Sequence, residues 1–141
     1  MKVLFVAGFG PIVADMRASQ TFYADALGLS FEGDASYLFT HQLDGVKHFA
    51  LWPLAAAAQS CFGTEVWPSD LPVPQGWIEF EVDDVAAATV EFECKGYRVL
   101  VAAKEEPWGQ TVTRIIGPDG LLVGITWTPS LRADQAQASP S

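Results

Sequence analysis

Two glutamates and one histidine are the residues of this chain whose types and positions could do acid–base or metal chemistry. Glu79 and Glu81 alternate with apolar residues directly after Trp77, so on a β-strand these three side chains share one face. His48 stands in a second apolar segment. An imidazole that faces a carboxylate could bind a metal ion or transfer a proton. The alternative is that His48 is a polar residue at a cavity rim and that the glutamates are solvated or paired.

Tryptophan is the second chemical clue in the sequence. Large flat side chains on a concave sheet bind planar or amphipathic ligands by stacking and burial. Trp52, Trp77 and Trp108 are the candidates for such contacts, although tryptophan also fills cores and dimer interfaces. Trp127 ends an apolar segment and is expected to be a packing residue of this kind. Trp67 stands among prolines and could be a lid residue or a partner contact.

Three other kinds of chemistry find little support. No Ser, Cys or Thr stands in a nucleophile elbow or beside an evident histidine base. The glycine-containing segment at 8–11 lacks the lysine and the spacing of a phosphate-binding loop. Cys61 and Cys94 make no disulfide framework, so we expect two buried or idle thiols.

The composition bounds the class of protein. With 141 residues, of which 50% are hydrophobic and 18% charged, the chain suffices for one compact domain or for two half-domains that share a core. The net charge of −9 disfavours a nucleic-acid partner, because nothing would neutralise the phosphates. No apolar run reaches the roughly 18 residues that span a bilayer, and the first residues lack the features of a secretory signal. We therefore expect a cytoplasmic protein without membrane contact.

The two halves of the chain repeat one pattern. In each half an apolar segment runs into Val-x-Asp, at Asp15 and again 69 residues later at Asp84. An amphipathic segment follows each aspartate, whose carboxylate can accept hydrogen bonds from the free N–H groups of a first helical turn. Gly28 and Gly96 end the two predicted helices. One supersecondary unit is therefore expected twice, with a functional site between the copies.

Hydrophobic periodicity and turn residues predict four strands and one helix in each half. The predicted strands are 4–13, 29–31, 37–40, 46–52, 77–82, 98–102, 111–116 and 121–127, and the predicted helices are 16–27 and 85–95. The predicted fold is α+β, with βαβββ modules at 1–52 and 77–129, a linker at 53–76 and a disordered tail at 130–141. One helix covers one face of each module, so the curved mixed sheets are expected to enclose a shared cleft with their other faces.

Several of these motifs carry a family resemblance. The pattern V-x-D-M-x-x-S-x-x-F-Y-x-x-x-L-G-L stands at 13–29, and the second half holds Val-Asp-Asp-Val at 82–85, Pro-Trp-Gly at 107–109 and Pro-Asp-Gly at 118–120. This set resembles the vicinal oxygen chelate superfamily, which includes glyoxalase I, extradiol dioxygenases, fosfomycin-resistance enzymes and bleomycin-resistance proteins. The resemblance covers roughly residues 3 to 128 and implies a fold more than a reaction, because this fold hosts many reactions.

The resemblance also indicates where a metal would be bound. The metal enzymes of this family place ligands on the first and last strand of each module. The matching positions here hold Gly8, Ala50, Trp77 and Gly124, with Phe49 in place of Ala50 if the alignment moves by one residue. None of these side chains offers a lone pair to a divalent metal. The resemblance therefore implies a member without metal or other cofactor, and a displaced histidine–glutamate site is the alternative.

The metal-free members include bleomycin-resistance proteins, which this chain resembles in size and in the Pro-Trp-Gly motif. They are dimers that sequester a drug in aromatic-lined clefts without chemistry. The resemblance thus implies a homodimer that binds a cationic or aromatic small molecule, as in antibiotic resistance, and the negative net charge suits a cation. The expected ligand-binding residues are His48, Trp52, Trp77, Glu79, Glu81, Trp108 and Arg114.

Two alternatives to sequestration stay open. The chain could be a lyase, isomerase or dioxygenase of the same family, with Glu79 or His48 as general base. It could also be an interaction domain without a small ligand. Arg114 has its own alternative, because the segment 109–118 is one residue longer than the bleomycin-resistance pattern suggests. A β-bulge there would change the direction of the Arg114 side chain.

Overall fold

Eight strands form one continuous mixed sheet in the computed structural model, which describes residues 1–132. The strands are β1 Val3–Val13, β2 Glu32–Asp34, β3 Tyr37–Thr40, β4 Phe49–Pro53, β5 Gly76–Val82, β6 Val99–Glu105, β7 Thr111–Ile116 and β8 Leu122–Trp127. Their order across the sheet is β2-β3-β4-β1-β5-β8-β7-β6. The second half of this order mirrors the first, so the predicted α+β fold with a duplicated strand pattern is confirmed.

The first strands of the two modules join the sheet in its middle. β1 pairs antiparallel with β5, and each of them pairs parallel with the last strand of its own module, β4 or β8. The strand β1 also approaches β4 closely. A β-carbon on Gly10 would lie 2.0 Å from the carbonyl oxygen of Ala50, so only glycine fits in this strand position. One curved layer therefore serves both modules.

Each module begins its helix in the predicted way. The helix α1 spans Met16–Gln20 and continues as a π-helical turn, Thr21–Ala26, and the helix α3 spans Val85–Cys94. Asp15 Oδ1 accepts a hydrogen bond from the backbone N–H of Ala18 at 3.1 Å, and Asp84 Oδ1 accepts one from Ala87 at 3.0 Å. Both predicted aspartate caps are confirmed, at matching positions of the two modules.

The first helix is less regular than the prediction of one helix over 16–27. A π-helical turn contains more residues per turn than an α-helix, so the apolar residues after it no longer share the face of those before it. Phe22 and Leu27 are consequently 55% and 56% exposed. Met16 and Tyr23 do pack against the sheet. The expected amphipathic helix over 16–27 is therefore interrupted, and Phe22 and Leu27 do not contribute to its buried face.

Two helices cover the convex face of the sheet, and a third covers part of the concave face. The cluster beside α1 contains Val13, Leu38, Phe49 and Leu51, and the cluster beside α3 contains Val82, Val85, Ala88 and Ile125. The third helix, α2, spans Leu54–Phe62 inside the predicted linker. It packs Ala57, Ala58 and the buried Cys61 in one cluster with Trp52 and Trp77.

Three predicted strands are misplaced. The predicted strand 29–31 is a loop, and β2 lies directly after it at 32–34. The strand β4 begins at residue 49 instead of 46, and β6 spans 99–105 instead of 98–102. Leu29, Phe31 and Val46 are loop residues that pack against the cluster beside α1. They are apolar because they cover this core, and periodicity alone does not distinguish such residues from a paired strand.

The end of the second module is folded further than predicted. Pro129–Leu131 forms a short 3-10 helix, and the Arg132 Nε donates a hydrogen bond to Glu81 Oε2 at 2.9 Å. The first three residues of the predicted tail, 130–132, are thus held against β5. Residues 133–141 of that tail lie outside the described residues. Within 1–132, no helix is long and apolar enough to cross a membrane.

The duplicated caps yield a prediction about stability. We expect Asp84→Ala to lower the free energy of unfolding by about 1 kcal/mol, because the N–H of Ala87 loses its acceptor. Urea denaturation measures this change. The matched control is Asp83→Ala, which removes an exposed neighbouring carboxylate that caps nothing and should change stability by less than about 0.5 kcal/mol. Equal effects of the two substitutions would contradict the capping role.

Candidate functional site

A cleft of about 730 Å³ opens on the concave face of the sheet. Its walls come from both modules, from α2, from the loop between β6 and β7, and from the turn after β8. Six of the seven predicted ligand-binding residues line it: His48, Trp52, Trp77, Glu79, Trp108 and Arg114. A cavity of this size between rigid strands is adequate for a drug-sized molecule.

Glu81 is the exception among the predicted residues, and its prediction as a ligand contact is corrected. It shares the inner face of β5 with Glu79, as the alternation predicts, but it is fully buried below the cleft. Its carboxylate accepts hydrogen bonds from Thr126 Oγ1, from the backbone N–H of Thr128 and from Arg132 Nε. Glu81 therefore holds the segment after β8 in place. Residues 130 and 131 of this segment form part of the cleft wall.

The strand register shows how the four positions that the resemblance assigns to metal ligands match between the two modules. Phe9 pairs with Phe49, so Gly8 is level with His48, just as Trp77 is level with Leu122 in the second module. Two residues further along these last strands stand Ala50 and Gly124, which therefore match each other. The alternative alignment to Phe49 fails, because Phe49 packs on the opposite face beside α1.

Large side chains fill the space that these small residues leave in the first module. A β-carbon on Gly8 would lie 3.1 Å from the Trp77 ring. The Trp77 Nε1 donates a hydrogen bond to the carbonyl oxygen of Ala50 at 3.3 Å, and the Trp52 ring meets it edge-on at 6.0 Å between centroids. The Trp77 indole thus spans the floor of the cleft from β5 to β1 and β4.

A buried ion pair fills the corresponding space in the second module. A β-carbon on Gly124 would lie 2.8 Å from Glu79 Cγ and 3.3 Å from Arg114 Nη1. Arg114 Nη1 donates to Glu79 Oε2 at 3.1 Å, and Gln110 Nε2 donates to Glu79 Oε1 at 2.9 Å. The Arg114 side chain is 1% exposed and its guanidinium lies 4.8 Å from the ring centroid of Trp52. A longer side chain at residue 124 would displace this pair.

Arg114 reaches this place without a bulge in its own strand. The pairing of β7 with β8 is unbroken, with Arg114 opposite Gly124. The irregular register lies in the neighbouring strand β6, between Val99 and Lys104, where Ala103 has a φ of 44°. The alternative of a bulge within 109–118 is therefore not supported in β7, and the register irregularity lies in the edge strand β6. Ala103 donates its backbone N–H to Thr113, which supports this backbone conformation.

The opposite wall of the cleft carries a chain of three hydrogen-bonded side chains. Tyr37 Oη is hydrogen bonded to His48 Nε2 at 2.6 Å, and His48 Nδ1 to His41 Nε2 at 2.7 Å. Burial, aided by His41, lowers the pKa of His48 from 6.5 to about 4. Burial, followed by the charge of Glu79, raises the pKa of Tyr37 above its usual range. Both groups are therefore neutral at pH 7, and each can donate or accept a hydrogen bond.

The sequence patterns assign no role in the site to two of these residues. His41 belongs to no predicted element, and Tyr37 is only the first residue of the predicted strand 37–40. Both line the cleft together with His48. The available signal was the alternation of Tyr37 and Phe39 along one face of β3, which His41 continues directly after the strand. Only the pairing of β3 with β4 brings that face against His48.

A second charged pair stands at the side of the cleft near α2. Lys104 Nζ lies 3.3 Å from Glu106 Oε1, and this oxygen also accepts a hydrogen bond from Ser60 Oγ at 3.2 Å. The nearby Cys61 is no nucleophile, because burial raises the pKa of its thiol to about 11. These residues line or support the cleft, and no sequence motif identifies them as a group.

The three tryptophans outside the floor of the cleft, Trp67, Trp108 and Trp127, differ in exposure and in their contacts. Trp108 is 62% exposed at the cleft mouth and donates its indole N–H to Gln110. Trp67 is buried against Phe62 and does not line the cleft, so its predicted role as a lid residue or partner contact is not supported. Trp127, predicted as a packing residue, is 39% exposed and lies beside Arg132.

The donor chemistry of the site is unsuited to a metal ion. Nowhere in residues 1–132 do three or more His, Cys, Asp or Glu side chains come together in a group that could hold one. His48 and Glu79 both line the cleft, yet His48 is engaged by Tyr37 and His41, and Glu79 by Arg114 and Gln110. The alternative of a displaced histidine–glutamate metal site therefore has no geometric support.

Comparisons with known proteins identify relatives of this fold. The family model of the Glyoxalase/Bleomycin resistance protein/Dioxygenase superfamily matches residues 9–125. A search of curated protein sequences finds no match. A member of the same superfamily from Vibrio splendidus 12B01 is 16% identical, with a TM-score of 0.58 over 89% of this chain and 98% of its own.

Two further solved structures are similar. The NAD-dependent benzaldehyde dehydrogenase from Legionella pneumophila is 13% identical, with a TM-score of 0.58 over 84% of this chain and 96% of its own. A variant of methylmalonyl-CoA epimerase from Streptomyces coelicolor, in complex with 2-nitronate-propionyl-CoA, is 18% identical, with a TM-score of 0.52 over 92% of this chain and 98% of its own. At such identities these likenesses show the fold alone.

The half-buried His48 yields a prediction about pH. The pKa of His48 falls from 6.5 to about 4 on folding, so below pH 6.5 the unfolded chain takes up a proton that the folded protein does not. This contribution to stability is complete above pH 6.5 and is lost as the pH falls towards 4. We expect urea denaturation of wild type to show a loss about 2 to 3 kcal/mol larger than that of His48→Gln between pH 7 and 4. Parallel pH profiles of the two proteins would contradict the neutral buried histidine.

Proposed function

Because the chain belongs to the glyoxalase/bleomycin resistance protein/dioxygenase superfamily, we propose that it is a metal-independent member that binds and sequesters a small aromatic molecule. The binding site is the cleft on the concave face, and Trp52, Trp77 and Trp108 supply its flat apolar surfaces. Aromatic side chains held on strands bind a planar ligand at low entropic cost, because they are already ordered. Sequestration needs only such binding, without a reaction.

One observation carries this proposal. Each of the four positions that match metal ligands in the superfamily's metal enzymes holds Gly, Ala or Trp, and other side chains occupy the space beside them. Trp77 lies against Gly8 and Ala50, and the Glu79–Arg114 pair lies against Gly124. The aromatic floor and the internal ion pair thus occupy the volume that a metal ion and its ligands would need. This arrangement supports ligand binding without Lewis-acid chemistry.

The charges of the cleft favour an aromatic ligand over a cationic one. Glu79 is paired with Arg114, and Glu106 is paired with Lys104, so each carboxylate already faces a cation of the same chain. The support for a cationic ligand is the net charge of −9, which attracts cations only at long range. Bleomycin itself is one candidate among many aromatic molecules. The cytoplasmic location remains a prediction from the sequence.

An enzyme of the lyase or isomerase type is the second candidate function. The observation in its favour is the chain Tyr37–His48–His41, which links a half-buried phenol in the cleft to an exposed imidazole. Such a chain could carry a proton between a ligand oxygen and water by shifting each hydrogen along by one bond. A bond-making nucleophile or a metal is not required for a tautomerisation of this kind.

A homodimer is also part of the proposal. The convex face carries a mostly apolar groove of about 660 Å³ between the two modules, lined by Phe5, Val6, Phe9, Val46 and Ile78 together with Gly45 and Lys47. Both ends of the sheet are edge strands, β2 and β6, which present unpaired backbone groups. Association of two copies would bury these apolar side chains, as expected for sequestering members of the superfamily.

The cleft assignment predicts the effect of removing its floor. We expect Trp77→Ala to weaken the binding of a planar aromatic probe by about one to two decades, because a buried aromatic contact contributes about 1–3 kcal/mol. Calorimetric titration with bleomycin and with naphthalene derivatives measures this. Trp77→Phe serves as a second variant if the alanine variant does not fold.

Trp127→Ala is the matched control, because Trp127 lies outside the cleft and should leave the affinity unchanged. A folded Trp77 variant that binds as tightly as wild type would assign Trp77 to packing. Elemental analysis of the same preparation tests the metal-independent part. About one Zn, Fe, Ni or Mn per chain, lost in His48→Ala, would overturn it and favour the enzyme.

The proposed homodimer predicts the mass of the protein in solution and a substitution that halves this mass. Light scattering at tens of micromolar protein should give about twice the 15.2 kDa of one chain. Phe9→Glu should give the mass of one chain, because it places a charge in the convex apolar groove. Phe22→Glu is the matched control, since Phe22 is exposed on the π-helical turn outside the groove. A single-chain mass for wild type would contradict the dimer.

A further inference from the structure

Two hydrogen bonds to one imidazole restrict the positions of the hydrogens in the cleft wall. His48 Nε2 is hydrogen bonded to Tyr37 Oη at 2.6 Å, and His48 Nδ1 to His41 Nε2 at 2.7 Å. Burial lowers the pKa of His48 to about 4, so at neutral pH its ring carries a single N–H. His48 therefore donates one of the two hydrogen bonds and accepts the other.

Only two arrangements of the hydrogens satisfy this condition. In the first, the Tyr37 hydroxyl donates to His48 Nε2, and His48 Nδ1 donates to His41. In the second, His41 Nε2 donates to His48 Nδ1, and His48 Nε2 donates to Tyr37 Oη. The hydroxyl hydrogen of Tyr37 then has no acceptor within residues 1–132, where His48 is the only group hydrogen bonded to Oη. With both histidines neutral we expect the first arrangement, because it leaves no donor unpaired.

A positive charge on His41 permits only the second arrangement. An imidazolium carries a hydrogen on both ring nitrogens and has no acceptor, so His41 Nε2 must then donate to His48. His41 is the exposed member of the chain of hydrogen bonds. Exposed imidazoles ordinarily exchange their proton with water between pH 5 and 8. The state of the Tyr37 hydroxyl is therefore coupled to the pH through His41.

The surroundings of the chain contain charged groups but no further histidine, since the protein has only two. The charged residues on the neighbouring elements are Glu32 and Asp34 of β2, Asp44 and Lys47 of the loop before β4, Glu79 of β5 and Arg114 of β7. Lys47 Nζ lies over the Phe5 ring, and Glu79 and Arg114 are paired with each other. Histidine is the side chain that ordinarily changes its charge between pH 5 and 8, so His41 is the titrating group of this wall.

We infer that His41 decides whether the cleft wall offers a ligand a hydrogen-bond acceptor or a donor, because a charged His41 releases the Tyr37 hydroxyl hydrogen from His48. The ligand part of this inference rests on the proposed function, since it specifies the polar group of the aromatic ligand. Tyr37, His48 and His41 all line the cleft, and Tyr37 is only half-buried. With His41 neutral, Tyr37 Oη accepts from an N–H or O–H group of a ligand. With His41 charged, it donates to a ligand carbonyl oxygen.

The tautomer of His48 tests the inference without a ligand. Proton–nitrogen correlation NMR of the imidazole rings should show the hydrogen of His48 on Nδ1 at pH 8 and on Nε2 at pH 5, because His41 gains its proton in this interval. In His41→Gln the tautomer should be the same at both pH values. Asp44→Asn is the matched control, because it removes an exposed charge from the same loop and should keep the change seen in wild type. A constant His48 tautomer in wild type overturns the inference.

Two bicyclic probes test the consequence for a ligand. Indole has an N–H donor and no oxygen acceptor, 1-indanone has a carbonyl acceptor and no donor, and neither probe changes its charge in this pH range. Calorimetric titration should show that the affinity ratio of indanone to indole rises about three- to tenfold from pH 8 to pH 5, because one buried hydrogen bond contributes in this range. The ratio cancels effects of pH that both probes share. His41→Gln and Tyr37→Phe should each make it independent of pH.

The outcomes distinguish this inference from the proposed function. A constant ratio in wild type, or a ratio that still changes with pH in Tyr37→Phe, overturns the inference and leaves aromatic binding intact. Failure of both probes to bind at millimolar concentration overturns the proposed function, and the His48 tautomer then decides the inference alone. If a variant does not fold, the tautomer and the ratio of wild type decide.

Discussion

The buried ion pair between Glu79 and Arg114 is the constraint on which the concave face depends. Removing two charges from water is costly, so such a pair persists only where neighbouring groups satisfy it. Gln110 donates to the second Glu79 oxygen, Trp52 covers the guanidinium, and Gly124 leaves the necessary space. The partners come from β5 and β7, on either side of β8. The pair therefore links β5 to β7 across β8, and Gln110 connects it to the cleft mouth.

The same pair occupies the space that a metal ligand at residue 124 would need. A carboxylate at residue 124 would need the volume that Glu79 and Arg114 now occupy. In the first module, the Trp77 ring takes the volume beside Gly8. Introducing one metal ligand by substitution would therefore displace a packed side chain, and introducing all of them would dismantle the floor of the cleft. The small residues at these positions and the large groups packed beside them depend on each other.

The two modules share a fold but have different polar groups in the cleft. The first contributes the neutral chain of Tyr37, His48 and His41, and the second contributes the ion pair. Aromatic rings lie between these two walls. A ligand in this cleft would have apolar contact on its faces and directional hydrogen bonds at its edges, which is the usual division between affinity and orientation in small-molecule sites.

The sequence by itself determined the duplicated module, because caps, turns and periodicity are local signals that each module repeats, as Asp15 and Asp84 do. It also determined that Gly8 and Gly124 offer no metal ligand. Only the tertiary structure decided the depth of each side chain in the cleft. Glu79 and Glu81 have the same alternation, yet the turn after β8 covers Glu81 and leaves Glu79 in the wall. Alternation fixes the face of a strand, whereas the neighbours that cover that face come from distant segments of the chain.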